Sequence, residues 1–323
     1  MPIKNHPYLS AIPKLATSFP DESFDTHKND YASLSTSNDK LNIDGTFLKY
    51  EQLMTMELPL RRLLLPWLSE GSLVMVAAER GIDKTHFALS LAVAVSEGTS
   101  FMRWPVVQAA GVLYVDEEIA LIDIRDRLKI FAPDLSCKSL SILSNEWFYK
   151  YFKRDLKITD PDIQAALLKH LAVDKQLRVL ILNNISLPSS VREDNGDDWY
   201  ECMLPFFIRC RRIGVAVILL YQCGQSRKHR RPGSENHLDT SIMLTRTKNN
   251  MLAPGYCFQL SFTKARSSCD DTMTPFIATL QTSALAATWK ISTFEKKSTK
   301  DKRINYVRTK NDEEINVTDA ADD

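Results

Sequence analysis

No single sign of charge dominates this sequence: 41 lysines and arginines stand against 40 aspartates and glutamates in 323 residues. Such a balance gives no global attraction to nucleic acid or to an anionic membrane, so an electrostatic partner must be met by a local cluster. Metal-ligand spacing is missing too. The six cysteines, Cys137, Cys202, Cys210, Cys223, Cys257 and Cys269, form no CxxC pair and fall into no ligand pattern with the six scattered histidines. Free thiols in a reducing cytoplasm are the expectation. The longest apolar run, FALSLAVAV, falls short of the ~20 residues a membrane-spanning helix needs. MPIKNHPYLS has no apolar segment after its lysine, which predicts a chain without a targeting signal. No internal repeat, helix-turn-helix or zinc pattern appears, and this disfavours a sequence-specific transcription regulator.

What is present is enough apolar residue, 44% of the chain, for a large buried core. Residues 1–45 are rich in Ser, Thr, Asp, Asn and Lys without periodicity and predict a flexible arm. Residues 293–323 pass from the basic FEKKSTKDKR to the acidic NDEEINVTDAADD and predict a charged, disordered tail. Between them, LVMVAA (73–78), GVLYV (111–115), LRVLILN (177–183) and VAVILLY (215–221) are near-continuous Val, Ile and Leu runs. They alternate with helical patterns such as KTHFALSLAVAVSEG and ALIDIRDRLKIF. The fold expectation is α/β: a mostly parallel sheet covered by helices on both faces. CFQLSFT, PFIATL and ATWKIS have no helices between them and predict antiparallel strands at the C-terminal end. Pro205 predicts a kink or break in the helix that contains it.

AERGIDKT (78–85) lies between the first strand and the first long helix. A phosphate loop reads GxxxxGK[ST] in that context, because backbone N–H groups and a helix N-terminus must converge on phosphate oxygens. Here Ala78, Glu79, Arg80, Gly81, Ile82, Asp83, Lys84 and Thr85 occupy the eight positions. Gly81 gives the flexible turn, Lys84 the phosphate-bridging ammonium and Thr85 the hydroxyl that ligates Mg²⁺. Ala78 in place of the first glycine is mild. Asp83 in place of the second is expected to strain a left-handed backbone and to bring like charge toward phosphate. At an effective dielectric of ~20 and roughly 5 Å, that repulsion is about 3 kcal/mol per phosphate charge, equivalent to a hundredfold or more in affinity.

YEQLMTMELPLRRLLLPWLSEGSLVMVAAERGIDKT, GVLYVDEEIALIDIRDRL, VLILNNIS, GVAVILLYQCGQ, RPGSENHLDTSIMLTR and FQLSFTKAR follow one another in the order of a known family. The chain resembles the RecA-like ATPases of the RepA type, hexameric replicative helicases of plasmids and phages, over residues 46–292. The resemblance implies a RecA-like P-loop core, ATP and Mg²⁺ as cofactors, a homo-oligomeric ring, single-stranded DNA as partner and further replication proteins as possible ones. It implies that Glu118 polarises the attacking water and that Gln222 senses the γ-phosphate. It also implies that Lys264 and Arg266 reach into a neighbouring subunit's nucleotide. Glu117 and Glu118 can equally be read as a solvated pair at a helix start. The family's Mg²⁺-holding aspartate is replaced by Asn183, which keeps the shape but not the charge. Tyr221 and Gln225 stand where such sequences commonly have His and Lys.

SRKHRR (226–231) groups Arg227, Lys228, Arg230 and Arg231 just after the strand carrying Gln222. In RecA-like rings the loop there lines the DNA channel, and clustered cations would contact phosphates without sequence preference. A merely solvated basic face is the plain alternative. A small-molecule kinase would share the phosphate loop but needs neither this cluster nor the KAR segment. Two readings remain: a DNA-associated ring ATPase, or a degenerate module that keeps the fold as a scaffold. Asp83 and Asn183 sustain the second; Lys84, Thr85, Glu118 and Arg266 sustain the first.

Overall fold

The computed structural model describes residues 46–58, 60–133, 137–183, 198–223, 237–247, 256–266, 271–283 and 286–293. The expected arm at 1–45, the basic loop at 226–231 and the expected tail at 293–323 lie outside the described residues, except Thr293, which ends the last strand. The chain forms two units, residues 1–58 and 59–323. In the first, a short helix α1 (Tyr50–Thr55) is opened by the Gln52 side chain, which accepts from the Lys49 N–H at 2.9 Å.

The second unit begins with a hairpin of β1 (Leu63–Leu65) and β2 (Leu68–Ser69). There follow β3 (Leu73–Glu79), α2 (Lys84–Glu97) and a second small hairpin, β4 (Ser100–Phe101) with β5 (Trp104–Pro105). Next come β6 (Gly111–Asp116), α3 (Leu121–Phe131), β7 (Leu140–Ser144), α4 (Asn145–Phe152), α5 (Pro161–Val173) and β8 (Leu177–Asn183). The unit ends with α6 (Asp198–Arg212), β9 (Ala216–Cys223), β10 (Thr240–Arg246), β11 (Cys257–Ala265), β12 (Phe276–Thr282) and β13 (Ala287–Thr293).

Nine strands form one sheet in the order β13-β12-β11-β10-β3-β9-β8-β6-β7. From β10 to β7 every neighbour is parallel, and β11 to β13 add on antiparallel. The expected α/β architecture is therefore present. Successive residues of a strand face opposite sides, and both sides are covered. Val74, Val76, Ala78, Tyr114, Ile181 and Ile218 pack toward α2 on one face. Leu73, Met75, Leu113, Leu180, Val217 and Leu219 pack toward α5 and α6 on the other. Both faces being apolar is why these strands read as unbroken hydrophobic runs.

Two strands of this sheet, β7 and β10, were not anticipated, since LSILS and TSIMLTR are too mixed to read as buried runs. Pro205 does not divide its helix: α6 runs from Asp198 to Arg212 with the proline inside. Met203, Phe206, Phe207 and Cys210 are buried from that helix, and this packing outweighs the one hydrogen bond a proline removes.

Candidate functional site

Because β10, β3, β9, β8 and β6 are parallel neighbours, their carboxyl ends lie along one edge of the sheet. That edge is where open α/β sheets bind ligands. It carries the loop after β3, Gln222 near the end of β9, Asn183 at the end of β8 and Asp116 at the end of β6.

Ala78 and Glu79 close β3, Arg80 to Asp83 form the loop, and Lys84 and Thr85 open α2. The left-handed residue of the loop is Gly81, at φ 84. Asp83 has φ −77, so the expected left-handed strain at that position is absent. Asp83 is instead the N-cap of α2: its carboxylate accepts from the His86 N–H at 3.2 Å and pairs with His86 Nδ1 at 2.6 Å. A carboxylate thus sits at the helix N-terminus, where the orphan N–H groups and the helix dipole would otherwise meet a phosphate. Burial alone would raise the Asp83 pKa. The hydrogen bonds and charge of His86, with a smaller pull from Arg127 on α3, hold it below the ordinary 3.8. The His86 ring is itself enclosed edge-on by Phe131 and Tyr256, at centroid distances of 5.9 and 5.2 Å.

Lys84 is buried, and its Nζ donates to Gln222 Oε1 at 3.2 Å. The two residues assigned separately to phosphate bridging and sensing are therefore in direct contact. Arg246, which ends β10, leans over the loop: its Nη2 donates to the Arg80 carbonyl at 2.7 Å and its N–H to Glu79 Oε2 at 3.1 Å. A Cβ on Gly81 would overlap that guanidinium. Neither Arg246 nor Arg127 was singled out from sequence; the one signal was a cation at a strand end and another on the helix after VDEE.

Thr85 and Asn183 also meet, Asn183 Nδ2 lying 3.3 Å from Thr85 Oγ. The same nitrogen donates to Asp116 Oδ2 at 2.6 Å. Asp116 is wholly buried, accepts from Tyr114 Oη at 2.7 Å, and accepts from the N–H groups of Glu118 and Ile119 at 3.0 and 2.8 Å. Burial first, and the Asp116 charge second, push the Tyr114 pKa well above its ordinary value. The VDEE segment therefore divides its carboxylates three ways. Asp116 shapes the turn into α3, Glu117 is buried and accepts from the Ile158 N–H at 2.7 Å, and Glu118 is exposed just past the strand end. The solvated-pair reading of Glu117 and Glu118 thus fails for Glu117, which holds a distant backbone segment.

Lys264 and Arg266 are brought to a different place. β11 runs antiparallel to β10 with Ala265 opposite Thr240, the first residue of β10. They lie at the amino edge of the parallel strands, away from the phosphate loop of their own chain. The Arg266 N–H donates to the Asp239 carbonyl at 2.9 Å, and its guanidinium stands 3.8 Å from the Asp239 carboxylate. Arg227, Lys228, Arg230 and Arg231 fall outside the described residues. No helix among the described residues is long and apolar enough to cross a membrane.

A strand, a loop turning on a left-handed glycine and a helix opened by Lys-Thr, at the carboxyl edge of a mostly parallel sheet, define a P-loop nucleotide-binding fold. The family described as AAA domain matches residues 41–228, more than half of the chain, and the chain belongs to it. No curated protein sequence matches. Among solved structures, a KaiC-like protein from the hyperthermophilic archaeon Pyrococcus horikoshii OT3 is similar at 15% identity and a TM-score of 0.48, covering 70% of this chain and 93% of that one.

Proposed function

We propose that the protein is a DNA-associated ATPase of the RepA type whose phosphate loop is held closed by its own Asp83, so that ATP and Mg²⁺ bind conditionally. The observation that carries this reading is the convergence of Lys84, Gln222, Thr85 and Asn183 at one strand edge, with an intramolecular carboxylate on the α2 N-terminus. Lys84 and Arg246 provide cations for phosphate, and the Thr85 hydroxyl is a hard oxygen donor that suits Mg²⁺, with the Asp116 carboxylate behind Asn183 adding negative charge nearby. These residues fit a nucleotide–Mg²⁺ ligand once Asp83 yields. ATP brought there would be held by Lys84 and the loop N–H groups, with Mg²⁺ neutralising phosphate charge.

In this reading Glu118 orients the attacking water, and Gln222, bonded to Lys84, reports phosphate occupancy to the adjoining loop. Lys264 and Arg266 act on a neighbour's nucleotide, which their position at the opposite edge supports. A homo-oligomeric ring, hexameric by resemblance, follows from that division. The 226–231 cluster contacts single-stranded DNA. Plasmid, phage or mobile-element replication in the cytoplasm is the setting that the resemblance suggests.

The test is ATP turnover with Mg²⁺, with and without single-stranded DNA, in the wild-type chain and in Lys84→Ala. Turnover stimulated by DNA and abolished by the substitution supports the reading. A second reading, a scaffold without hydrolysis, is favoured by Asp83 occupying the phosphate position. It prevails if neither the wild-type chain nor Asp83→Gly turns over.

A further inference from the structure

The phosphate site has lost a carboxylate at Asn183, yet a carboxylate stands beside it. In the pairing of β6 with β8, Asp116 is directly opposite Asn183. The charge absent from one strand end is therefore present on the next, about 4.8 Å away across the sheet. Asp116 is 0% exposed, and a carboxylate so placed is held by hydrogen bonds, a counter-charge or both. Its four hydrogen-bond donors are two backbone N–H groups, the Tyr114 hydroxyl and the Asn183 amide, none of them a cation. No ion pair of the described residues involves it. A turn-forming role accounts for Oδ1, which binds Glu118 and Ile119. Oδ2 accepts from the Tyr114 hydroxyl and from the Asn183 nitrogen that also contacts Thr85, which ties the carboxylate to the Mg²⁺-ligating position.

We propose that Asp116 is the transposed metal-positioning carboxylate of this site, acting on Mg²⁺ at Thr85 through the Asn183 amide. The inference rests on the nucleotide-binding reading. Asp116 fixes the Asn183 amide and so the Thr85 hydroxyl, and its negative charge lies close enough to favour a divalent cation there. Loss of such an outer carboxylate typically weakens metal binding about 10- to 100-fold.

Calorimetric titration with a non-hydrolysable ATP analogue, in Mg²⁺ and in chelator, tests this in the wild-type chain and in an Asp83→Gly background. Variants in each are Asp116→Asn and the exchange Asp116→Asn with Asn183→Asp. Mg²⁺ is expected to tighten binding by at least about tenfold in the parent. Asp116→Asn removes most of that increment while the chelator affinity stays within about twofold, and the exchange restores it. A full Mg²⁺ increment in Asp116→Asn overturns the inference, as does an equal loss in Mg²⁺ and in chelator, the mark of a purely structural role. Should Asp116→Asn not fold, the exchange decides: a folded exchange variant without the increment overturns the proposal. A parent that binds equally with and without Mg²⁺ sinks the inference alone, whereas no binding in either background sinks the nucleotide reading as well.

Discussion

The Asp83 carboxylate and His86 are joined twice, through the His86 N–H at 3.2 Å and its Nδ1 at 2.6 Å, across the first turn of α2. The aspartate that looks in sequence like damage to a phosphate loop is, in the folded chain, the N-cap of the helix. It replaces an external anion with an internal one, and its consequences can be measured separately on stability and on binding.

For stability, Asp83→Ala removes the cap and should cost about 1 kcal/mol, whereas Asp83→Gly should cost only a few tenths, since glycine serves as an N-cap. Denaturant unfolding of the two variants checks the order. Equal costs would show that the carboxylate does not cap.

The pH dependence has a definite sign. A carboxyl whose folded pKa lies below its unfolded value contributes stability above that unfolded value and loses it as pH falls through the folded one. For Asp83 the unfolded reference is 3.8 and the folded value is lower. The stability gap between the wild-type chain and Asp83→Asn should therefore be constant near neutrality and close below about pH 3.8. Thermal melts across that range provide the comparison.

Gly81→Ala should destabilise by about 1–2 kcal/mol, because a Cβ is unfavourable at φ 84. The added overlap is with the tip of a flexible arginine. Gly81→Ala combined with Arg246→Ala should recover little, since the cost lies in the backbone. Full recovery would instead assign the cost to the side-chain contact.

Asn183→Asp, the apparent repair of the site, should not repair it alone. It sets a second carboxylate against Asp116 at the present 2.6 Å contact, and two such buried groups cannot both ionise at ordinary cost. The variant is expected to melt below the wild-type chain at pH 8 and to recover when Asp116→Asn is added. An unchanged melting temperature would show that the pair tolerates both charges.

If Arg266 serves a neighbour's nucleotide, Arg266→Ala should lower turnover about a thousandfold or more. Mixing it with Lys84→Ala subunits should restore part of the activity, because one mixed interface joins an intact loop to an intact arginine. No recovery on mixing would place the arginine's role within its own subunit.

Much of the fold was legible because burial on both faces writes long Val, Ile and Leu runs, and β3, β6, β8 and β9 all carry one. β7 and β10 were not, since polar residues interrupt them and tertiary pairing decides. The loop and Lys84 were legible from local spacing. The conformation of Asp83 was misread because positive φ falls on Gly81, leaving Asp83 free to cap. Asp116 was passed over beside Glu118 because its meaning depends on Asn183, 67 residues away in sequence and adjacent only across the sheet.

The most direct measurement is the affinity of a non-hydrolysable ATP analogue, with Mg²⁺, for the wild-type chain and for Asp83→Gly. Removing the internal anion should tighten binding about a hundredfold or more, the weight of one like charge near phosphate. Equal affinities would contradict the account, since Asp83 would then not compete with phosphate for the α2 N-terminus.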